Sequence, residues 1–304
     1  MDFPTIDESI RIQRLVPPRR RVSMVLDTDT YNEIDDQFAL AYACLSPQQM
    51  DVEAIYAAPF LNSRSTSPVD GMEKSYEEIL RLLQRLGRDS EGFAFRGSTG
   101  YLPAADEPVV SAAAEDLVER AMSPREDLLY VVAIGAITNV SSALLLEPRI
   151  IDRIVVVWLG GNPTYWPTTR EFNLMQDVHA ARVVLDCGVP FVHVPCKNVS
   201  QHLRTTLPEL EAHIGGKNAL CDFLLESFRG YHEDHFAWAK ELWDVATIAW
   251  LVCPDWMPGA LVHSPILTDQ LTWSEDAGRH LIRVLTDCHR NPIFADVFRK
   301  LAEA

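Results

Sequence analysis

The stretch VLDTDTYNEIDDQFALAYA (residues 25–43) places an acidic cluster where an apolar strand-like run meets an apolar helix-like run. Four aspartates, Asp27, Asp29, Asp35 and Asp36, fall within ten residues. Helix capping explains one or two of them, because a carboxylate at a helix N-terminus accepts free N–H groups and favours the helix dipole. Two ionised carboxylates about 4 Å apart repel by roughly 4 kcal/mol at an effective dielectric of about 20. A packed group of four requires a cation or protonation, so the stretch predicts a metal site.

Short aliphatic runs alternate with amphipathic runs along most of the chain. The aliphatic runs predict strands at Val22–Asp27, Val52–Ala58, Leu128–Ile134, Ile154–Gly160 and Phe191–Pro195. The amphipathic runs predict helices at Asp35–Leu45, Met72–Leu86, Ala112–Met122, Thr138–Leu146 and Val178–Cys187. This β–α–β order predicts an α/β fold, an open and mainly parallel sheet with helices on both faces.

The pattern changes beyond about residue 200. Helices dominate there, including an apolar one at Glu241–Val252, and a small antiparallel piece is predicted at Leu261–Val284 near the C-terminus. No break in composition separates this part from the rest. We therefore expect one domain over residues 1–304, with an N-terminal arm at residues 1–20.

The amino-acid composition of the chain limits which kinds of molecule we expect it to bind. The chain has 304 residues, 47% of them hydrophobic, and a formal net charge of −16. Nucleic acid is not expected as a partner, because phosphate binding needs concentrated Lys and Arg. No membrane contact is expected either, since no stretch has the apolar length of a span and the N-terminus lacks the apolar core of a secretory signal. Six scattered cysteines indicate buried free thiols. These features predict a cytoplasmic enzyme of small neutral or cationic ligands.

Polar side chains follow the predicted strands at their carboxyl ends: Asp27, Asp29, Asn62, Asn139, Asn162, Glu171 and Asn173. Those ends share one rim of a parallel sheet, which is where such sheets bind ligands. Carboxylates without nearby Cys or His favour Ca²⁺ or Mg²⁺. An EF-hand loop starting at Asp27 is excluded, because it would put Asn32 at the glycine position and Phe38 at the glutamate position.

The run DTDT, from Asp27 to Thr30, also resembles the first motif of haloacid-dehalogenase-like phosphatases. In that family the first Asp is the nucleophile and the second is the acid/base. Those enzymes also need a later pair of acids to hold Mg²⁺ and a nearby lysine, whereas the later strands here end in IGAITN and LGGNPTYW. This alternative predicts Mg²⁺ dependence and release of phosphate.

Four segments together resemble the inosine–uridine-preferring nucleoside hydrolases. The first is a strand that ends in DxD and leads to a DD pair opening a helix. AIGAITNV (133–140) is similar to the family's Gly-x-x-Thr-Asn segment, and GGN (160–162) with EFNLMQDVHAARVVL (171–185) is similar to its sugar-binding loop and helix. WDVATIAWLVCPD (243–255) is similar to its late metal-binding helix. The chain is identified as a divergent member, because all four segments occur in the family's order.

The resemblance implies a role for each matching residue. A Ca²⁺ ion would be held by Asp29, Asp36, the main-chain carbonyl of Thr138, and Asp244, and Asp29 would also be the general base toward the attacking water. The residues implied to bind the sugar are Asp35, Asn62, Asn162, Glu171 and Asn173. The implied reaction is Ca²⁺-dependent hydrolysis of the N-glycosidic bond of a ribonucleoside, which releases the free base and ribose. Family members form homodimers or homotetramers, so the same is implied here.

Three departures from the family pattern bear on substrate and mechanism. The loop TYNEI (30–34) is longer than usual and lacks glycine, so its side chains either reach the site or stay solvated. Trp243 replaces the family's leaving-group histidine, and it can stack on a base but cannot usefully donate that proton. An aromatic residue at this point sandwiches the base in purine-specific members of the family, so the resemblance implies a purine preference. Tyr101 is the candidate for the opposite face of the base, with Tyr165 and Trp166 as others. His232 and His235 are alternative acids in a segment before the late helix.

A non-catalytic protein that binds a ribose or nucleoside remains a further alternative. It would keep the metal and sugar residues but lack turnover, as the replacement of the histidine by Trp243 allows. Retention of Asp29, Asp35, Asp36 and Asp244 favours catalysis.

Overall fold

The computed structural model describes residues 3–304, and within them the chain alternates strands and helices. The strands are β1 (Val22–Thr28), β2 (Met50–Ala57), β3 (Ala94–Arg96), β4 (Leu129–Ala133), β5 (Ile154–Leu159), β6 (Phe191–Val194), β7 (Arg204–Thr205), β8 (Lys240–Glu241), β9 (Gly259–His263), β10 (Ile266–Leu267), β11 (Trp273–Ser274) and β12 (Leu281–Leu285). The helices are α1 (Glu8–Arg14), α2 (Asp35–Cys44), α3 (Pro68–Arg85), α4 (Ala112–Met122), α5 (Thr138–Leu146), α6 (Phe172–Gln176), α7 (Val178–Asp186), α8 (Leu207–Ile214), α9 (Ala219–Tyr231), α10 (Val245–Val252) and α11 (Arg290–Ala302).

Eight strands form one sheet in the order β3-β2-β1-β4-β5-β6-β12-β9. Every neighbouring pair is parallel except β12 and β9, which are antiparallel. Two small antiparallel pairs, β10–β11 and β7–β8, lie outside this sheet. The mainly parallel sheet and the antiparallel piece near the C-terminus are confirmed. Strands β2 and β3 lie on one side of β1, whereas β4, β5 and β6 follow one another on the other side. A doubly wound sheet binds ligands at the point where this order switches, here between β1 and β4.

Both faces of the sheet are covered, as the unbroken aliphatic character of its strands requires. Along β1, Met24 and Leu26 belong to the hydrophobic cluster on one face, whereas Val25 belongs to the cluster on the other. Helices α2 and α10 pack against each other. All residues of α2 are buried, and so are residues 245–251 of α10. Because both helices are fixed in the core, the residues at their first turns are held rigidly.

Two helices begin elsewhere than the sequence pattern predicts. Helix α3 begins at Pro68 instead of Met72, because Ser67 caps it by accepting from the Asp70 N–H and proline suits the first helical turn. Helix α10 begins at Val245 instead of Glu241. Lys240 and Glu241 pair with β7 as the short strand β8, and Asp244 becomes the residue preceding the helix.

The N-terminal segment contains a docked helix. Arg11 of α1 is buried and donates to the Gly188 carbonyl. Glu8 accepts from the Leu281 N–H at 3.0 Å, and Arg283 donates to the Leu15 carbonyl at 2.6 Å. These contacts attach the segment to β12. No helix among residues 3–304 has the length and apolar character needed to cross a membrane.

Candidate active site

Three aspartates from two distant segments converge at the carboxyl rim of the sheet. Asp35 and Asp36 open α2, and Asp244 precedes α10. A carboxylate oxygen of each lies within 4.8 Å of the others, and all three side chains are buried. Thr28 at the end of β1 donates its hydroxyl to Asp36 Oδ1 at 2.6 Å. The cluster is therefore built by the junction of β1 and α2 together with the N-terminus of α10.

Asp29 belongs to the same electrostatic group. Burial raises the pKa of Asp29, Asp36 and Asp244 well above the ordinary value, and the neighbouring carboxylates raise each pKa further. Burial raises the pKa of Asp35 to about 6, although Lys240 acts in the opposite direction. Within the described chain, both oxygens of Asp29 and Oδ1 of Asp35 are buried without a hydrogen-bond partner. A buried charge without a partner costs free energy.

This donor set fits a hard divalent cation. Its ligand atoms are carboxylate oxygens, which Ca²⁺ and Mg²⁺ prefer. A cation would neutralise the repulsion between the acids and occupy the unpartnered oxygens of Asp29 and Asp35. Asp244 therefore lies beside Asp35 and Asp36, as predicted. Asp29 acts electrostatically on the same group.

Gly135, in the loop after β4, lets the chain pass beside Asp29. A Cβ atom at this position would lie 2.9 Å from Asp29 Oδ1, so a larger residue would push the carboxylate. The Gly135 carbonyl accepts from the Trp158 indole N–H at 3.0 Å. Thr138 follows as the first residue of α5, and its hydroxyl donates to Asp177 at 2.8 Å. Gly135, the glycine of the IGAITN segment, therefore leaves room for the Asp29 carboxylate.

Asp27, the first acid of the cluster, is bound to Asn139. The Asn139 amide donates to Asp27 Oδ1 at 2.7 Å and to the Ala57 carbonyl at 3.2 Å, and its oxygen accepts from the Ser98 N–H at 2.7 Å. Burial raises the pKa of Asp27 to about 7. These bonds join the ends of β1 and β2 to the loop after β3. Asp27 and Asn139 are therefore structural neighbours of the site.

A cavity of about 250 Å³ opens beside the acidic cluster. Seven of the predicted site residues line it: Asp35, Asp36, Asn162, Glu171, Asn173, Trp243 and Asp244. The other lining residues are Asn32, Glu33, Ile134, Leu159, Arg170, Phe172, Cys196 and Lys197. The cavity is thus lined by carboxylates, an indole ring and further polar side chains.

Two asparagines of the cavity lining are oriented by side-chain bonds to the backbone. The Asn173 amide donates to the carbonyls of Ile134 and Leu159, both at 3.0 Å, which leaves its oxygen as an acceptor. The Asn162 amide donates to the Thr168 carbonyl at 2.9 Å, and its Oδ1 is buried without a partner among the described residues. Both asparagines are therefore oriented with an acceptor available to a ligand.

Glu171 caps α6. Its Oε2 accepts from the N–H groups of Gly161 at 2.7 Å and Leu174 at 3.1 Å, and its Oε1 accepts from the Asn173 N–H at 3.0 Å. Burial raises its pKa, although these backbone bonds act in the opposite direction. A carboxylate offers about four acceptor positions. Three backbone N–H groups use this capacity, and the Cys196 thiol is a further hydrogen-bond neighbour of the carboxylate.

Two of the predicted substrate residues do not line the cavity. The Asn62 amide donates to Asn32 Oδ1 at 2.6 Å. Asn32 lines the cavity, so Asn62 supports a lining residue. Tyr101 is half-buried, and its hydroxyl donates to Gln176. The pKa of Tyr101 is raised, mainly by burial and then by Asp29. The structure thus places Asn62 behind Asn32 and Tyr101 against α6.

The long loop after Asp29 forms part of the cavity wall. Asn32 and Glu33 line the cavity, and Glu33 accepts from Lys240 at 2.5 Å and from the Tyr231 hydroxyl at 3.1 Å. The sequence pattern left open whether this loop reaches the site, and the structure shows that it does. Sequence reasoning does not find Lys240, because no local motif connects it with a loop about two hundred residues earlier.

The cavity lining includes none of the three histidines His193, His232 and His235. His232 is exposed, and its ring stacks on Trp238 with centroids 4.7 Å apart. His235 contacts the Arg229 carbonyl at 3.1 Å. His193 is buried in β6 beside the Gly160 carbonyl, and burial lowers its pKa to about 4. None of the three contacts the acidic cluster in the described structure.

Comparison with known proteins identifies the family of this chain. Residues 24–294 match the family model described as inosine-uridine preferring nucleoside hydrolase. A pyrimidine-specific ribonucleoside hydrolase, RihA, from Klebsiella pneumoniae is 27% identical over 260 residues, 76% of this chain and 80% of the relative. RihA from Escherichia coli O1:K1 is 27% identical over 261 residues, with the same coverage.

Solved structures share the fold. The plant nucleoside hydrolase PpNRh1 has a TM-score of 0.74 at 21% identity and covers 94% of this chain and 100% of its own. A purine-preferring ribonucleoside hydrolase from Gardnerella vaginalis has a TM-score of 0.70 at 17% identity, with 92% and 98% covered. The family match favours N-glycoside hydrolysis over phosphatase chemistry. The chain therefore belongs to the inosine-uridine preferring nucleoside hydrolase family, whose enzymes hydrolyse ribonucleosides.

Proposed function

We propose that this protein is a Ca²⁺-dependent ribonucleoside hydrolase with a preference for purine bases. The observation that carries the metal dependence is the buried acidic cluster, in which both Asp29 oxygens and Asp35 Oδ1 have no hydrogen-bond partner within residues 3–304. Asp29, Asp36, the Thr138 carbonyl and Asp244 would hold the ion. A bound cation offsets the repulsion between these acids and lowers the pKa of a water molecule beside it.

Asp29 is the proposed general base. Its carboxylate is buried and free of hydrogen bonds within the described chain, so it can accept a proton from the attacking water. The Gly135 backbone passes directly beside it and limits its movement. A base held in one orientation reduces the entropy cost of the reaction.

Asp35, Asn162, Glu171 and Asn173 are proposed to bind the ribose hydroxyls. Each lines the cavity, and the two asparagines present oxygens while their amide N–H groups are used by the backbone. Cleavage of an N-ribosidic bond passes through a state with positive charge on the sugar. Carboxylates fixed around the ribose stabilise that charge more than they stabilise the neutral substrate.

Trp243 is the proposed platform for the base. It lines the cavity next to Asp244, where its ring can stack on a flat purine. The pyrimidine-specific names of the RihA relatives favour the other class of base. A substrate panel decides between them.

The panel measures reducing sugar released from inosine, guanosine, adenosine, uridine and cytidine, with Ca²⁺ and after chelation. The proposal expects chelator-sensitive release, fastest from a purine nucleoside. Higher kcat/KM for uridine and cytidine would overturn the purine preference, and release that chelation leaves unchanged would overturn the metal dependence.

Two variants assign the roles. We expect Asp29→Asn to abolish turnover while nucleoside binding persists, and Trp243→Ala to lower kcat/KM for the preferred nucleoside about tenfold. Trp166→Ala is the matched control, because Trp166 is half-buried outside the cavity lining. An Asp29→Asn enzyme with wild-type kcat would remove Asp29 from the base role.

A further inference from the structure

The proposed reaction needs a group that helps the base to leave, and the base platform itself does not supply one. Trp243 offers an indole ring that can stack on a base but cannot usefully donate a proton to it. The histidines His193, His232 and His235 are absent from the cavity lining in the described part of the chain. Assistance to the departing base must therefore come from another side chain of the lining.

Lys197 is a cationic side chain located at this platform. Its Nζ lies 5.4 Å from the centre of the Trp243 ring, and both residues line the cavity. A base stacked on the indole would have its own ring centre about 4.5–7 Å from the same point. The ammonium therefore lies beside the space of a stacked base, where it can reach the polar atoms on the edge of that base.

The Lys197 ammonium is not engaged by a carboxylate. Among residues 3–304, the lysines that form ion pairs within 4.0 Å are Lys74, Lys240 and Lys300. An ammonium group carries three N–H donors and sits on a flexible stem. These donors are available to a ligand, because Lys197 is half-buried at the cavity and its charge is not used to neutralise an acid of the site.

The backbone that carries Lys197 is held in a closed turn after β6. The Cys196 N–H donates to the Gly161 carbonyl in the loop after β5 at 3.0 Å, and the Cys196 carbonyl accepts from the Gln201 N–H at 3.0 Å. Asn198 adopts a φ of 58°, which asparagine tolerates better than most residues. The lysine stem therefore extends to Trp243 from a fixed backbone position.

The remaining charge of the cavity makes a cation at the base useful. Five carboxylates line the cavity, those of Glu33, Asp35, Asp36, Glu171 and Asp244. When an N-glycosidic bond breaks, its electron pair moves to the base, and carboxylates repel the negative charge that develops there. An ammonium beside the base stabilises this charge more strongly in the transition state than in the neutral substrate, so it accelerates the reaction.

We infer that Lys197 is a catalytic residue that stabilises the departing base. The inference rests on the proposed ribonucleoside hydrolysis and assigns the leaving-group role within it. The bond between C1′ and the base nitrogen breaks with its electron pair on that nitrogen, while water adds to C1′ and gives a proton to Asp29. The Lys197 ammonium donates a hydrogen bond to a carbonyl oxygen or ring nitrogen of the base as negative charge grows there. The base then takes one proton from solvent and Asp29 returns one, so the sum consumes one water molecule.

The experiment compares two leaving groups in variants of this lysine. Lys197→Met removes the charge at similar length, and Lys197→Arg keeps it. We expect Lys197→Met to lower kcat for inosine about tenfold or more, the scale of one hydrogen bond to a charged group. The KM should change less than kcat, and Lys197→Arg should recover most of the lost rate. The loss should be much smaller for 4-nitrophenyl riboside, because its phenolate is stable without assistance.

Lys217→Met is the matched control, because Lys217 is exposed and outside the cavity lining. Equal losses for inosine and 4-nitrophenyl riboside in Lys197→Met would overturn the inference, since they would assign the lysine a structural role. A wild-type kcat for inosine in Lys197→Met would overturn it as well.

Ionisation of a bound base tests the same contact without turnover. The ultraviolet spectrum of hypoxanthine distinguishes the neutral from the ionised base, and it is titrated with pH in the presence of excess protein, ribose and Ca²⁺. A cation within about 4–6 Å favours the ionised form of an acid, so bound hypoxanthine should ionise about one pH unit or more below free hypoxanthine. Lys197→Met should abolish this difference and Lys217→Met should keep it.

The titration separates the inference from the proposed function. Ionisation at the same pH in the wild type and Lys197→Met would overturn the role of Lys197, even where inosine is hydrolysed. Failure of the wild type to hydrolyse any nucleoside would instead count against the proposed function.

Discussion

Lys240 forms an ion pair with Glu33 of the cavity lining, with Nζ and Oε2 2.5 Å apart. Lys240 is almost fully buried, whereas Glu33 retains 35% of its side-chain exposure. Asp35 and Glu33 both raise the Lys240 pKa against the opposing effect of burial. The lysine therefore connects the long loop after β1, strand β8 and the acidic cluster.

Removal of this lysine should destabilise the protein. We expect Lys240→Met to lower the free energy of unfolding by about 2 kcal/mol, since Glu33 and Asp35 lose a counter-charge in a partly solvated setting. Denaturant titration measures this change, with Lys217→Met as the control because Lys217 is exposed. The double variant Glu33→Gln/Lys240→Met should lose less stability than the two single losses added together. Strict additivity would show that the two side chains are not coupled.

Gly135 is predicted to be intolerant of alanine. The added Cβ would lie 2.9 Å from Asp29 Oδ1 and 3.2 Å from Ala58 Cβ, so the carboxylate must shift. We expect Gly135→Ala to lower kcat by about tenfold or more while circular dichroism shows a folded protein. Gly100→Ala is the control, because nothing lies within 4 Å of a Cβ at that position. Wild-type kcat in Gly135→Ala would contradict the close packing around Asp29.

The metal-free protein should lose stability as the pH rises. Burial raises the pKa of Asp27 to about 7 and that of Asp35 to about 6, both from an ordinary value of 3.8. A carboxyl whose pKa is raised in the folded state contributes stability below its unfolded pKa, and this contribution is lost as the pH rises through the folded pKa. Between about pH 4 and its folded pKa, each group should lower the free energy of unfolding by roughly 1.4 kcal/mol per pH unit.

Asp27→Asn isolates one of these groups. Asparagine keeps an oxygen that can accept from Asn139, so the hydrogen bond at Asp27 Oδ1 can persist. Urea titrations with chelator at a series of pH values should show a shallower decline for this variant. An unchanged slope would mean that Asp27 does not titrate in this range.

Metal and protein stability are expected to be linked through the acidic cluster. Addition of Ca²⁺ should raise the melting temperature, because a ligand at about 100 times its Kd stabilises the folded state by about 2.7 kcal/mol. Asp36→Asn should melt higher than the wild type in chelator, since it removes a buried charge that repels Asp35 and Asp244. The same variant should lose most of the Ca²⁺ response. A full response in Asp36→Asn would exclude Asp36 as a ligand.

The strands at the centre of the sheet could be predicted from the sequence because their residues are aliphatic on both faces. The predicted strands at Val22–Asp27 and Ile154–Gly160 differ from β1 and β5 by a single residue each. The start of α10 could not be predicted in the same way. Lys240 and Glu241 carry a polar pattern that suits a helix, and only the partner strand β7 draws them into a sheet pair.

The sequence by itself determined the order of strands and helices, the polar residues at the carboxyl ends, and the pairing of DxD with DD at the first junction. These follow from local periodicity and from the rule that parallel strands share one rim. Tertiary structure alone decided that Lys240 pairs with Glu33, that Arg170 and Lys197 line one cavity, and that Tyr101 faces α6. Long side chains from separate loops meet only when the packed core has set the distances between those loops, and no local pattern encodes such distances.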